Sequence, residues 1–256
     1  METPTFSVVI PCYNNAATIV ATIQSCLNQT VQPVEIIIVD DKSTDETVEI
    51  IKANFDGNSI IKILNQSNNQ GPSAARNRGW DAAQGDYVAF LDGDDVFVPN
   101  KIEIISNLLT VQNQIDFLFH DYKLWDLSPL QHSNSQINAI PFVFYKLLKG
   151  NTISTCTMIV RRKIDIRFDE SMRFCEDFDI ALRLSYAHET YYLPQTLTFI
   201  KRPVLSEGGL SSNVWKMRQG EMKAYKKLVQ LNFGFTFLIP SLLLWSYTKH
   251  IIKKVV

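Results

Sequence analysis

The sequence is sparing with cysteine: Cys12, Cys26, Cys156 and Cys175 are the only four in 256 residues, and no two form a C-x-x-C pair. So few, spaced so widely, exclude a disulfide framework and a cysteine zinc site, and fit free buried thiols in a reducing compartment. Glycine and proline, at 10 each, exclude a collagen-like or low-complexity chain. Net charge is only −1, so nothing drives the whole chain toward nucleic acid. The histidines at 120, 132, 188 and 250 lie far apart without metal-binding spacing. No basic cluster precedes the apolar run at 6–10, so no signal peptide is expected and the expected location is cytoplasmic. The uncharged run Phe233 to Tyr247 is 15 residues long. As a helix it would rise about 22 Å against a hydrocarbon core of roughly 30 Å. Pro240 is expected to kink it, and no membrane span is expected.

What is present is ordinary globular material, 46% apolar and 20% charged, enough for one large α/β domain with or without an appendage. Charge is unevenly placed. Residues 212–256 carry eight Lys or Arg and one Glu, net +7, while residues 1–211 carry 17 basic and 25 acidic residues, net −8. The basic, aromatic end reads either as a helix packed on the domain with a solvated face, or as an amphipathic element lying on anionic lipid.

Over the first 95 residues, short β-branched runs at 6–10, 34–39, 60–64 and 87–91 alternate with helical spacing at about 16–28, 44–54 and 72–83. That alternation predicts a parallel sheet with right-handed crossovers, and ligands bind at the carboxyl ends of such strands. Ser43 and Thr44, followed by Asp45 and Glu46, are expected to start the second helix. Beyond Asp95 the pattern predicts a helix from Pro99, strands at 115–121 and 153–160, a helix at 141–149 and another at 176–187. The polar stretch 128–138 is expected to be a loop.

Acidic groups stand where the sheet would present ligand contacts. Asp92-Gly93-Asp94-Asp95 follows the apolar run Val88 to Leu91. Its carboxylates repel one another unless a cation lies among them, and Mg²⁺ or Mn²⁺ takes such oxygens together with substrate phosphates. The alternative is a solvated acidic turn. Asp41 ends the second strand region, as a ligand contact or as the cap of the next helix. Pro11 is expected to end the first strand, and Tyr13 offers a ring for stacking on a base. Arg76 and Arg78 cannot share one helix face, so at most one reaches a ligand. Glu176, Asp177 and Asp179 open the late helix.

Taken in order, FSVVIPCYN (6–14), VDDKSTDET (39–47), GPSAARNRG (71–79), FLDGDD (90–95) and CEDFDIALRL (175–184) resemble the family-2 glycosyltransferases with the GT-A fold. The resemblance covers about residues 5–205. It implies a GT-A (Rossmann-like) mixed, mainly parallel sheet flanked by helices over residues 1–211, with a helical tail over 212–256. It also implies a UDP-linked sugar donor, with Pro11, Tyr13, Asp41, Arg76 and Asp92 on the nucleotide. Asp92 and Asp94 would hold Mn²⁺ or Mg²⁺, and Asp177 would be the catalytic base of an inverting, hexosyltransferase-type reaction. Transfer would be of one sugar at a time onto a glycan or lipid-linked acceptor in polysaccharide biosynthesis, since the Q-x-x-R-W motif of processive polymerases is absent. Lys201 and Arg202, before the glycines at 208 and 209, stand where relatives carry a diphosphate-steadying loop. Contact with the inner leaflet would follow from the basic tail.

Two other classes fit less well. Aspartyl-phosphate hydrolases and phosphorelay receivers place their acids after the first strand, where residues 11–15 hold none. A silent nucleotide-sugar-binding scaffold would keep the fold, but Asp94 and Asp177 are both retained.

Overall fold

The computed structural model describes residues 3–125, 138–201 and 213–255. Strands β1 (Phe6–Cys12), β2 (Glu35–Asp40), β3 (Ile61–Asn65) and β4 (Tyr87–Phe90) alternate with helices α1 (Ile19–Leu27), α2 (Thr47–Phe55) and α3 (Pro72–Ala82). They form the parallel half of the sheet in the order β3-β2-β1-β4. There follow β5 (Val96–Phe97), α4 (Lys101–Val111), β6 (Phe117–Leu124), β7 (Ile140–Pro141), β8 (Met158–Arg161), α5 (Glu176–Ala187) and β9 (Thr190–Ile200). The sheet continues from β4 through β8, β6 and β9 to β5, with β8 antiparallel to both neighbours. β7 pairs with β9 off this path.

Alternation along β1 divides the core. Val9 joins the layer under α3 and α5, while Val8 and Ile10 join the layer under α1 and α4. Gly79 lets α3 come close to the sheet: a Cβ there would lie 2.4 Å from Val9 Cγ1. Lys101 is fully buried at the start of α4. Its ammonium donates to the carbonyl of Cys156 (3.3 Å) and to Thr198 Oγ1 (3.1 Å), and lies 3.6 Å from the Phe97 ring centre. Burial lowers its pKa to about 7. All four cysteines are free and buried.

Pro11 does not end β1; it lies inside the strand, opposite Val39. Helix α2 begins at Thr47 rather than 44, because the capping candidates are used elsewhere. Ser43 Oγ accepts from the backbone N–H of Asn14, and Thr44 donates its N–H to Asn14 Oδ1. The helix expected at 141–149 is a 3₁₀ turn at Phe144–Lys149, and the strand expected at 153–160 begins only at Met158. The 11-residue β9 was not anticipated. Of the loop at 128–138, only residue 138 is among the described residues.

At the C-terminal end, α6 (Val214–Leu231) is followed by a 3₁₀ turn (Phe233–Phe237) and α7 (Ile239–Val255). Helix α6 packs on the domain. Ala224, Tyr225 and Leu228 are buried, and the Tyr225 ring meets Phe178 of α5 edge-on at 5.4 Å. Lys227 spans Asp169 (2.8 Å) and Asp179 (2.6 Å), and Arg218 bonds both Glu221 and Ser246 of α7. Pro240 does not kink α7; it lies in the first turn, where its missing N–H has no helical partner to lose.

Candidate active site

The loops after β1 and β2 are stitched together. Asn14 adopts φ +54°, a left-handed conformation that Asn tolerates better than most residues. Its side-chain oxygen accepts from the N–H groups of Thr44 (2.8 Å) and Asp45 (3.3 Å). Asn15 Nδ and Oδ pack beside Gly93, where a Cβ would lie 2.8 Å from Asn15 Oδ1. Thr18 Oγ1 donates to the Gly93 carbonyl at 2.8 Å. These contacts set the turn Asp92–Asp95 against the β1 loop and leave the Tyr13 ring 46% exposed.

Asp41 is buried and is not the cap of α2. Its carboxylate accepts from Gln66 Nε2 (2.6 Å) and from the N–H groups of Gln70 and Gly71 (both 2.7 Å). It thereby fixes the loop that leads into α3 and so the placement of Arg76. Arg78 points elsewhere, to the Asn65 carbonyl at 2.7 Å.

Arg76 is 5% exposed. One terminal nitrogen reaches Asp92 at 2.7 Å and the other reaches Glu176 at 3.1 Å. Glu176 begins α5, beside Asp177. The Asp177 carboxylate accepts from Asn151 Nδ2 (2.7 Å) and from the backbone N–H of Phe178 (2.8 Å). Burial, then the negative charge of Glu176, pushes Asp177 up to about 7. The hydroxyl of Tyr122 on β6 is raised too, by burial and by the charges of Asp177 and Asp95 among others. Asp92, Asp95, Arg76, Glu176, Asp177 and Tyr122 therefore belong to one cluster at the carboxyl edge of the sheet. Sequence reasoning assigned no role to Glu176, Asn151 or Tyr122. Glu176 adjoins a flagged residue; the other two carry no local signal.

Asp94 is on the same turn. It lines a cavity of about 410 Å³ with Thr18, Ala21, Thr22, Val96, Trp125 and Lys201. Asp95 is buried and accepts from the Lys201 N–H at 3.2 Å; burial, then its neighbours Asp92 and Asp94, pushes it up to about 8. Three carboxylates crowded into four residues repel one another and suit a divalent cation. Among the described residues, no group of three or more His, Cys, Asp or Glu forms a ready-made metal cage. The donor set matches a hard ion that takes one or two protein carboxylates and completes its shell from substrate phosphates. Arg202 and the glycines at 208 and 209 lie outside the described residues.

Residues 7–169, more than half of the chain, match Glycosyl transferase family 2. The chain is a family 2 glycosyltransferase. Over 253 residues it is 31% identical to an uncharacterized glycosyltransferase of Haemophilus influenzae, covering 96% of this chain and 97% of that one. It is 31% identical over 215 residues to the UDP-Glc:alpha-D-GlcNAc-diphosphoundecaprenol beta-1,3-glucosyltransferase WfgD of Escherichia coli (82% and 81% of the two chains). It is 30% identical over 256 residues to the putative teichuronic acid biosynthesis glycosyltransferase TuaG of Bacillus subtilis (98% and 97%). The GT-A fold is shared with S. aureus TarS 1–349 in complex with UDP-GlcNAc, at a TM-score of 0.71 and 21% identity, covering 88% of this chain and 66% of that one. No helix among the described residues of this family member is long and apolar enough to cross a membrane.

Proposed function

We propose that the protein transfers one sugar from a UDP-sugar to a hydroxyl of a lipid-linked glycan, with inversion at the anomeric carbon. The observation that carries this is the meeting of Asp92 and Glu176 on a single arginine, which brings the acidic turn and the first turn of α5 to one cleft. The nucleoside lies across the ends of β1 and β2, its base stacked on Tyr13 against the Pro11 backbone, with Asp41 beneath it and Asp92 on the ribose. Asp94, with Asp92, would hold Mn²⁺ or Mg²⁺, which supplies neutralisation of the charge that develops on the departing diphosphate. Asp177 accepts the proton of the acceptor hydroxyl as that oxygen attacks the sugar from the face opposite the diphosphate. The sugar passes through an oxocarbenium-like state and needs no covalent enzyme intermediate.

The test is a screen of UDP- and GDP-sugars for nucleotide release with Mn²⁺, Mg²⁺ or a chelator. UDP release that needs the divalent ion is expected. Binding of a UDP-sugar without release over hours would instead favour a silent scaffold.

The lipid-linked acceptor is supported by WfgD's diphosphoundecaprenol substrate and by the C-terminal surface. Phe233 and Phe237 are 72% and 82% exposed, with Leu244, Trp245, Tyr247 and Tyr145 also exposed nearby in the chain or on the packed 3₁₀ turn. Lysines at 146, 149, 249, 253 and 254 accompany them in sequence. Anionic bilayers bind such combinations of apolar and basic groups. Because Tyr225 anchors α6 in the core, point changes test this better than truncation. Phe233→Ser with Phe237→Ser is expected to reduce sedimentation with phosphatidylglycerol vesicles severalfold, without loss of UDP-sugar hydrolysis. Unchanged sedimentation would remove the membrane contact from the proposal.

A further inference from the structure

Arg76 makes contacts that a nucleotide-binding arginine would not be expected to make in advance. Both terminal nitrogens are committed to protein carboxylates that lie 84 residues apart in sequence, Asp92 and Glu176. The plane of the guanidinium lies over the Phe168 ring, 5.4 Å from its centre. Its Nε is buried without a hydrogen-bond partner. The guanidinium is thus oriented by protein carboxylates on both of its terminal nitrogens. A buried cation held by two acids is costly to assemble and strongly destabilising to break, so its presence here calls for a role.

We infer that Arg76 is a positioning residue, a strut that fixes the acidic turn after β4 to the first turn of α5 and sets the charge surrounding the Asp177 carboxylate. The inference rests on Asp177 being the base. Each end of the strut adjoins working parts: Asp92 begins the D-x-D turn, and Glu176 precedes Asp177. Cys175, just before α5, is held at φ +57°, a conformation that non-glycine residues adopt only when their surroundings enforce it. Gly220 of α6 packs on the backbone of Phe174 at that point, where a Cβ would lie 2.4 Å from the carbonyl oxygen. The helix start is thus braced from α6 on one side and by Arg76 on the other.

The charged and titratable groups around Asp177 are Glu176 on its own helix, Arg76 on α3, Tyr122 on β6, which also feels Asp95, and the Cys175 thiol. Arg76 favours the ionised carboxylate and Glu176 opposes it. Removing either charge must therefore move the base in opposite directions, which loss of packing alone would not do.

The experiment is the pH dependence of UDP release by the full-length protein with Mn²⁺, for the parent, Arg76→Gln, Arg76→Lys and Glu176→Gln. UDP binding in the presence of Mn²⁺ is measured alongside. Arg76→Gln is expected to raise the acid limb by on the order of one pH unit and to lower kcat. Glu176→Gln is expected to lower the limb. Arg76→Lys, which keeps a cation but not the fork, is expected to restore the limb more than the rate. UDP affinity should change far less than kcat in all three. Acid limbs that do not move, or an Arg76→Gln variant that loses UDP binding in proportion to its rate, would overturn the inference. Should Arg76→Gln fail to fold, Glu176→Gln decides alone through the direction of its limb. A parent with no acid limb, or an active Asp177→Asn, would instead count against the base assignment, so the two failures are distinguishable.

Discussion

Replacing Asp177 by Asn is expected to lower kcat by about 10²–10⁴-fold while UDP binding persists. Asn is nearly the same size, and its single amide oxygen can still accept one of the two bonds, from Asn151 or from the Phe178 N–H, that now hold the two carboxylate oxygens at 2.7 and 2.8 Å. What it cannot do is take a proton from an attacking hydroxyl. The pH profile carries the same information. Burial and the charge of Glu176 place Asp177 at about 7, and a base works only in its unprotonated form. The parent rate should therefore rise with pH through about 7 and fall about tenfold per unit well below it. In Asp177→Asn that limb should vanish, leaving a low, flat rate. A variant that turns over like its parent would remove Asp177 from the chemistry.

Asp94→Asn is expected to cost on the order of a hundredfold in kcat at saturating Mn²⁺, with a weaker apparent affinity for the ion. The reason lies in how the turn divides its side chains. Asp92 already shares its carboxylate with Arg76 at 2.7 Å, and Asp95 is buried and pushed up to about 8. Neither is well placed to take over from Asp94. A Mn²⁺ titration of UDP release reads both quantities, and a variant whose titration overlays the parent would put the cation elsewhere.

Much of this was legible in the sequence, for physical reasons that differ by region. The first four strands are short β-branched runs separated by helix-length spacers, and their period alone predicts β1 to β4 and the ends at which Asp41 and Asp92 stand. Helix α5 was equally clear, since Phe178, Ala181, Leu182 and Leu184 share a face. Strand β9 was not, because Pro194 interrupts it. The pairing register jumps from His120 opposite Leu193 to Asp121 opposite Thr196, so the proline sits in an irregularity that spares the ladder a missing donor. Helix α2 starts three residues later than the local pattern predicts, because Ser43 and Thr44 bond to Asn14, a partner some 30 residues away that no local pattern reveals. In the site, the carboxylates could be picked out one by one. Their coupling could not, since Arg76 and Glu176 meet across 100 residues of chain.

The stitch between Asn14 and the 43–45 loop bears on how the enzyme would be slowed. Both loops are already tied down, so a nucleoside settling on the proposed platform would find little left to order there. The leaving nucleotide keeps the same base and ribose as the incoming donor, and a rigid cradle cannot tell them apart. Accumulating UDP should therefore act as a competitive brake, and sustained synthesis would depend on some other enzyme that removes it.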